Sequence, residues 1–177
     1  MSRTIRIERY REQALNAAAL ISALATARTE AGSTLEQLAE RQDDQLQDLL
    51  HTFAFSTRKI IELGQAEGFG LRDHAIRDSM FVAWADDAAP PNEAIEMVSL
   101  WFVLNRIIHS DTLFIDRAQI PDKNGKLSPE KIAWGFRVAS DQDKGKERFV
   151  FLEFLLQDFL GLDQKLAFHL RIRARSA

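Results

Sequence analysis

Three polar side chains able to do chemistry stand together at the end of a strongly apolar run: Asn105, Arg106 and His109 in LNRIIHSDTLF, directly after EMVSLWFV. On a helix, Asn105 and His109 lie four apart and Arg106 and His109 three apart, so all three crowd one edge. Imidazole titrates near neutrality and passes protons. Guanidinium is permanently charged and matches a phosphate fork, and an amide can orient either group. Imidazole beside guanidinium is the smallest kit for cleaving a phosphodiester without a metal: one moves protons while the other stabilises charge on pentavalent phosphorus. In that chemistry His109 is the general acid/base, Arg106 the charge stabiliser and Asn105 the orienting group. A plainer account competes with it. The helix leaves the core at this point, and its polar residues face water or cap neighbouring backbone.

Other chemistries find less support. GQAEGFG has no preceding strand and no Lys-Ser/Thr after it, so it is not a phosphate-binding loop. The four histidines, His51, His74, His109 and His169, each lack a second ligand at metal-binding spacing on their own helix. The chain has no cysteine, which removes disulfides, thiolate metal sites and a thiol nucleophile. Ser-His-Asp catalysis has no nucleophile elbow to anchor it. No cofactor and no metal is therefore expected. Trp84, Trp101 and Trp134 read as core or interface packing rather than a base-stacking platform. The arginines at the two ends, among them Arg3, Arg11 and Arg173, read as solvated surface.

A chain of 177 residues, 46% hydrophobic and 28% charged, is long enough for one domain with a real core. Its net charge of −3 supplies no global field for nucleic acid, so any such binding needs a local basic patch. No apolar run reaches the length of roughly 20 residues that spans a bilayer. The segment ALNAAALISALATA imitates a signal peptide, but Glu8 and Glu12 occupy its would-be positive region, and an alanine-rich first helix is the better reading. The expected location is cytoplasmic, without a membrane partner.

Helices are expected over most of the chain. ERYREQALNAAALISALATARTEAG lacks proline and stops at Gly32; the next helix is capped by Ser33 or Thr34 and ends at Gly64. DHAIRDSMFVAWADD reads as a shorter helix stopped by Pro90 and Pro91. Asn92 then caps a helix running to about Ile115, with Leu100, Val103, Leu104 and Ile107 buried. Beyond Ile120 the character changes: PDKNGKLSPEK is turn chemistry, KIAWGFRVASD fits a strand and ERFVFL a return strand. RFVFLEFLLQDFLGLDQKLAFHL also reads as a buried helix with one polar stripe through Glu153, Gln157 and Gly161, and RIRARSA as a frayed tail. The expected fold is mainly α: a bundle of four to five helices over residues 1–120, with residues 121–177 a small C-terminal α/β element of the same domain.

A helical bundle whose late helix ends in Asn105-x-x-x-His109, preceded by a core helix carrying FAFSTRKIIEL, resembles the HEPN superfamily over about Leu35 to Arg117. That family's motif is an arginine, a polar residue, a few residues and a histidine. Asn105 and His109 match, but Leu104 stands where the arginine belongs, and Arg106 is one residue too close to His109. The resemblance implies an RNA-binding or metal-independent RNA-cleaving protein of a toxin–antitoxin or antiphage type, active or inactive, with paired motifs across a homodimer. Three tryptophans and twelve phenylalanines also favour a homodimer, since a modest bundle cannot hide them all. The competing class is a non-enzymatic interaction or regulatory scaffold with a protein partner, which the acidic net charge favours. A small-molecule enzyme ranks third, for want of legible pocket chemistry.

Overall fold

The computed structural model describes residues 2–30, 36–84, 95–121, 123–140 and 147–176. Two long helices come first, α1 (Arg3–Thr26) and α2 (Glu36–Ala66). The side chain of Ser2 accepts the Ile5 amide to start α1, which buries Ile7, Ala14, Ala17 and Ile21 at helical spacing. Small alanines let α2 lie close alongside. On α2 the buried set Leu46, Leu50, Phe53, Ile60 and Ile61 follows the face that the 3–4 spacing predicts. The capping residues Ser33 and Thr34, and Gly32, lie outside the described residues. Gly64 does not end α2. The chain reverses instead at Gly68 and Gly70, whose φ angles of 78° and 59° suit a residue without Cβ.

From here the expectation of a mainly α bundle is overturned. Helix takes 61% of the described residues but strand takes 29%, and the strands form one six-stranded sheet. The expected helix in DHAIRDSMFVAWADD is only α3 (Leu71–Ala75), followed by a strand, β2 (Asp78–Trp84). The expected helix from Asn92 to Ile115 is β3 (Ile95–Ser99), α4 (Leu100–Ile108) and the start of β4 (Ser110–Pro121). Its proline–asparagine start lies outside the described residues. A short, wholly apolar run carries no period of its own, so its sequence does not separate strand from buried helix. The decision comes from pairing. Met80, Val82 and Val98 enter the core while Phe81, Ile95 and Met97 point away from it, the alternation of a strand. Ser99 then turns strand into helix, its hydroxyl accepting the Phe102 amide at 3.2 Å. Leu100, Val103, Leu104 and Ile107 are buried as expected.

The C-terminal part holds both alternatives read in its sequence. β5 (Leu127–Ser140) and β6 (Arg148–Phe151) pair as neighbours, and α5 (Leu152–Ser176) begins directly after β6. Glu153 and Gln157 are exposed and joined by a 3.0 Å hydrogen bond, so the polar stripe faces water. The basic tail continues α5 rather than fraying.

β5 organises the sheet. One edge pairs antiparallel with β4, and the other pairs with β6 and with the two-residue β1 (Thr29–Glu30). β6 continues to β2 and β2 to β3. Strands from before and after residue 121 thus share one sheet. Met80, Val82, Val98, Phe136, Val138 and Val150 line the face that packs on the helices. α4 lies on that face against α2, which brings the two helices that carry the polar cluster side by side.

Candidate active site

α2 buries Phe53, Ala54, Thr57, Ile60 and Ile61. Helical spacing therefore leaves Arg58 at the margin of the core, facing the end of α4. Its Nη1 donates to Asn105 Oδ1 at 3.0 Å and lies 3.5 Å from His109 Nε2. The first contact is an ordinary hydrogen bond. The second is at the limit of one and is best described as close approach. Asn105 lies on α4, whereas His109 is the residue that ends it, its amide donating to the Asn105 carbonyl at 3.0 Å. The helix end exposes the imidazole instead of holding it along the helix edge.

Arg106 shares the cleft but not the histidine. Its Nη1 donates to Ser140 Oγ at 2.5 Å, and its guanidinium sits 4.7 Å over the Phe102 ring. Arg148 takes the same distance from that ring and donates to Glu96. The structure thus brings together Asn105 and His109, places Arg106 beside them with a different hydrogen-bond partner, and supplies Arg58 as the arginine at the histidine. Arg58 stands 47 residues upstream of Asn105, within the FAFSTRKIIEL segment. Spacing along α4 alone could not show it.

Arg58, Trp101, Asn105, Arg106 and His109 line an open cleft of about 320 Å³. Arg58 and Arg72 both approach the Trp101 ring, at 5.2 Å and 5.5 Å, within cation–π range. Trp101, expected as plain packing, is therefore part of the cleft wall. Trp134 lies elsewhere, against Phe149 and Phe151, in the wall of a second cavity. The arginines give the cleft a local positive field within a chain of net charge −3.

Glu62 restrains Arg58 from the next turn of α2, accepting from its Nε at 2.9 Å while Lys59 donates to the other oxygen at 2.7 Å. Burial raises the Glu62 pKa, but the hydrogen bonds from Lys59 and Arg58 outweigh it and hold the carboxyl below its ordinary value. The sign follows from linkage. This stabilisation is complete above the ordinary carboxylate range and is lost as pH falls through the lowered value. Arg58 is therefore held at neutral and mildly acid pH.

The remaining histidines stand apart. His74 Nε2 is 3.8 Å from Asp158 Oδ1, and His169 stacks on Phe69 at 5.2 Å. Not all the terminal arginines are merely solvated: Arg11 makes a two-pronged contact with Asp163 at 2.5 and 2.8 Å, and Arg173 pairs with Glu67. A larger cavity of about 600 Å³ between α1, β5 and α5 is lined mostly by apolar side chains, with Glu153 its one charged group. It offers no proton-transfer pair. Among the described residues, no helix is long and apolar enough to cross a membrane. No family model matches the chain, and no curated protein or solved structure shows significant similarity to it.

Proposed function

We propose that the Arg58–Asn105–His109 cleft binds an RNA phosphodiester and cleaves it without a metal, as the resemblance to HEPN proteins of toxin–antitoxin or defence systems implies. The observation that carries the reading is the meeting of guanidinium, amide and imidazole from two helices in one open, positively charged cleft. It supplies the arginine that the sequence lacks at position 104. His109 Nε2 takes the proton of the ribose 2′-hydroxyl as that oxygen attacks phosphorus. Arg58 stabilises the charge on the pentavalent phosphorus, Asn105 holds Arg58 in place, and solvent protonates the departing 5′-oxygen. The products are a 2′,3′-cyclic phosphate and a 5′-hydroxyl. The reading places the protein in the cytoplasm as a homodimer. The alternative, a non-enzymatic interaction or regulatory scaffold, has the net charge of −3 in its favour.

The test is a comparison of two arginines. With labelled single-stranded RNA in EDTA, Arg58→Ala should slow cleavage by about 100-fold or more through loss of the charge stabiliser. Arg106→Ala, whose guanidinium is engaged by Ser140, should cost less than about 10-fold, the smaller part of that same effect. Equal loss in both variants would return the role to Arg106, and no cleavage by the parent chain would end the nuclease reading.

Glu62→Gln gives a further expectation. Removing a carboxylate beside the cleft should tighten RNA retention on filters by roughly two- to fivefold at low ionic strength, a surface-charge effect that salt screens. It should also slow cleavage, because Arg58 loses its anchor. Unchanged retention and rate would show that Glu62 does not govern Arg58.

A further inference from the structure

Two neighbouring aromatics of α4, Trp101 and Phe102, each carry two guanidiniums. Arg58 and Arg72 lie 5.2 and 5.5 Å from the Trp101 ring, and Arg106 and Arg148 each lie 4.7 Å from that of Phe102. The rings at the cleft are therefore engaged by cations and do not stand open as a platform for a nucleobase. Three of the four arginines are also held by polar side chains: Arg58 by Glu62 and Asn105, Arg106 by Ser140, and Arg148 by Glu96. Arg72 is the exception. It is exposed and, among the described residues, its guanidinium makes no ion pair or hydrogen bond.

The fold fixes Arg72 in that place. Leu71 and Ala75 of α3, four residues apart, are buried, so Arg72 points away from the core. Gly64 makes room for Leu71 against α2: a Cβ at that glycine would collide with a Leu71 methyl. Lys165 of α5 donates to the Gly70 carbonyl at 2.8 Å and ties down the start of α3. Asp73, the next residue, turns its carboxylate towards Gly70, where the Lys165 ammonium also lies. The two distances to Trp101 put Arg58 and Arg72 within about 11 Å of each other. Successive phosphates of one strand fall well inside that span. On the reading of the cleft as an RNA site, we propose that Arg72 holds a second phosphate, next to the one at Arg58. The cleft then takes a single strand by its backbone, without preference among bases.

The two arginines differ in what they do. Arg58 meets His109 and so acts at the phosphate whose bond is broken. Arg72 is on the far side of Trp101 from no reacting group of its own: it grips the strand equally before and during the reaction. Such uniform binding appears in KM and leaves kcat nearly untouched.

The probe is a 2′-O-methyl oligoribonucleotide, which has no 2′-hydroxyl to attack phosphorus. Arg72→Ala should weaken its binding by about three- to fivefold, the effect of one exposed charge. It should also lower the slope of log affinity against log salt by about 0.7, the share of one phosphate on a single strand. Fluorescence anisotropy at several salt concentrations reads both. Arg72→Lys should keep the slope, because the charge stays. Arg77→Ala removes an exposed charge between α3 and β2 and should leave the slope unchanged. Adenosine, cytidine and uridine homopolymers should bind within about threefold of one another. An unchanged slope in Arg72→Ala, an equal loss in Arg77→Ala, or a preference above about tenfold for one base overturns the proposal. So does a parent chain that does not bind the probe. None of these readings needs cleavage: a parent chain that binds with the Arg72-dependent slope but cuts nothing ends the nuclease reading alone. Where RNA is cut, Arg72→Ala should raise KM about three- to fivefold on a trinucleoside diphosphate, with kcat within about twofold. A dinucleoside monophosphate offers one phosphate and should lose less. Equal loss on the two substrates would place Arg72 at the reacting phosphate and overturn the second site.

Discussion

His109→Ala should reduce RNA cleavage by about 100-fold or more, the ordinary cost of losing a positioned proton-transfer group. Its melting midpoint should stay within about 2 °C of the parent chain, as expected for an exposed side chain. The two halves of this expectation have separate physical origins. The imidazole is exposed at the end of α4, and the contact that it makes there, between its Nε2 and Arg58, is 3.5 Å long. The helix-ending hydrogen bond to the Asn105 carbonyl comes from the backbone amide, which alanine retains. A gel assay in EDTA and a thermal melt on the same preparation check both. A marked loss of melting temperature with no change in cleavage would assign His109 to structure instead, and full activity in the variant would require another base.

The largest effect on stability is expected at the opposite end of the molecule's polarity scale. Phe159→Ala should cost about 3–5 kcal/mol, because it removes a large ring and the surroundings relax only partly into the space. Phe159 on α5 is fully buried and meets the equally buried Phe53 of α2 edge to face, with ring centroids 4.9 Å apart. It thereby ties the C-terminal helix to the helix that carries Arg58. For a chain of this length, about 2–4 °C of melting temperature accompanies each kcal/mol, so a drop of roughly 6–20 °C is expected. RNA cleavage well below the melting transition should survive, since Phe53, which meets the ring, faces the core about one and a half turns of α2 before Arg58. A drop of less than about 3 °C would mean that α5 is not anchored through this contact.

The two predictions also separate what was legible from what was not. α1, α2 and α5 are long enough for a 3.6-residue period to repeat several times, and their buried faces follow from that repetition. The turn at residues 67–70 is written in its glycines. The strand character of KIAWGFRVASD and ERFVFL was visible in β-forming residues between turn signals. By contrast, SMFVAW and IEMVS are too short and too apolar for a period to show. They become strands because β6 offers β2 an edge, and β2 in turn offers one to β3. That edge is made by residues 148–151, far along the chain, and no local pattern reports it.

The candidate site divides in the same way. Asn105, Arg106 and His109 stand out within one short stretch because polar groups that end an apolar run are conspicuous, and they line one cleft, although His109 ends α4 and does not lie along it. The sequence by itself therefore pointed to these three groups, but neither to Arg58 nor to the limits of the helix that carries Asn105 and Arg106. Which arginine meets the histidine was decided only by tertiary packing. With Leu104 and Ile107 buried, α4 is rotated so that Arg106 reaches Ser140, while the buried face of α2 turns Arg58 towards Asn105 and His109. The physical reason is that burial of apolar side chains sets the rotation of each helix about its axis, and that rotation, not separation along the chain, determines which polar groups come within hydrogen-bonding distance.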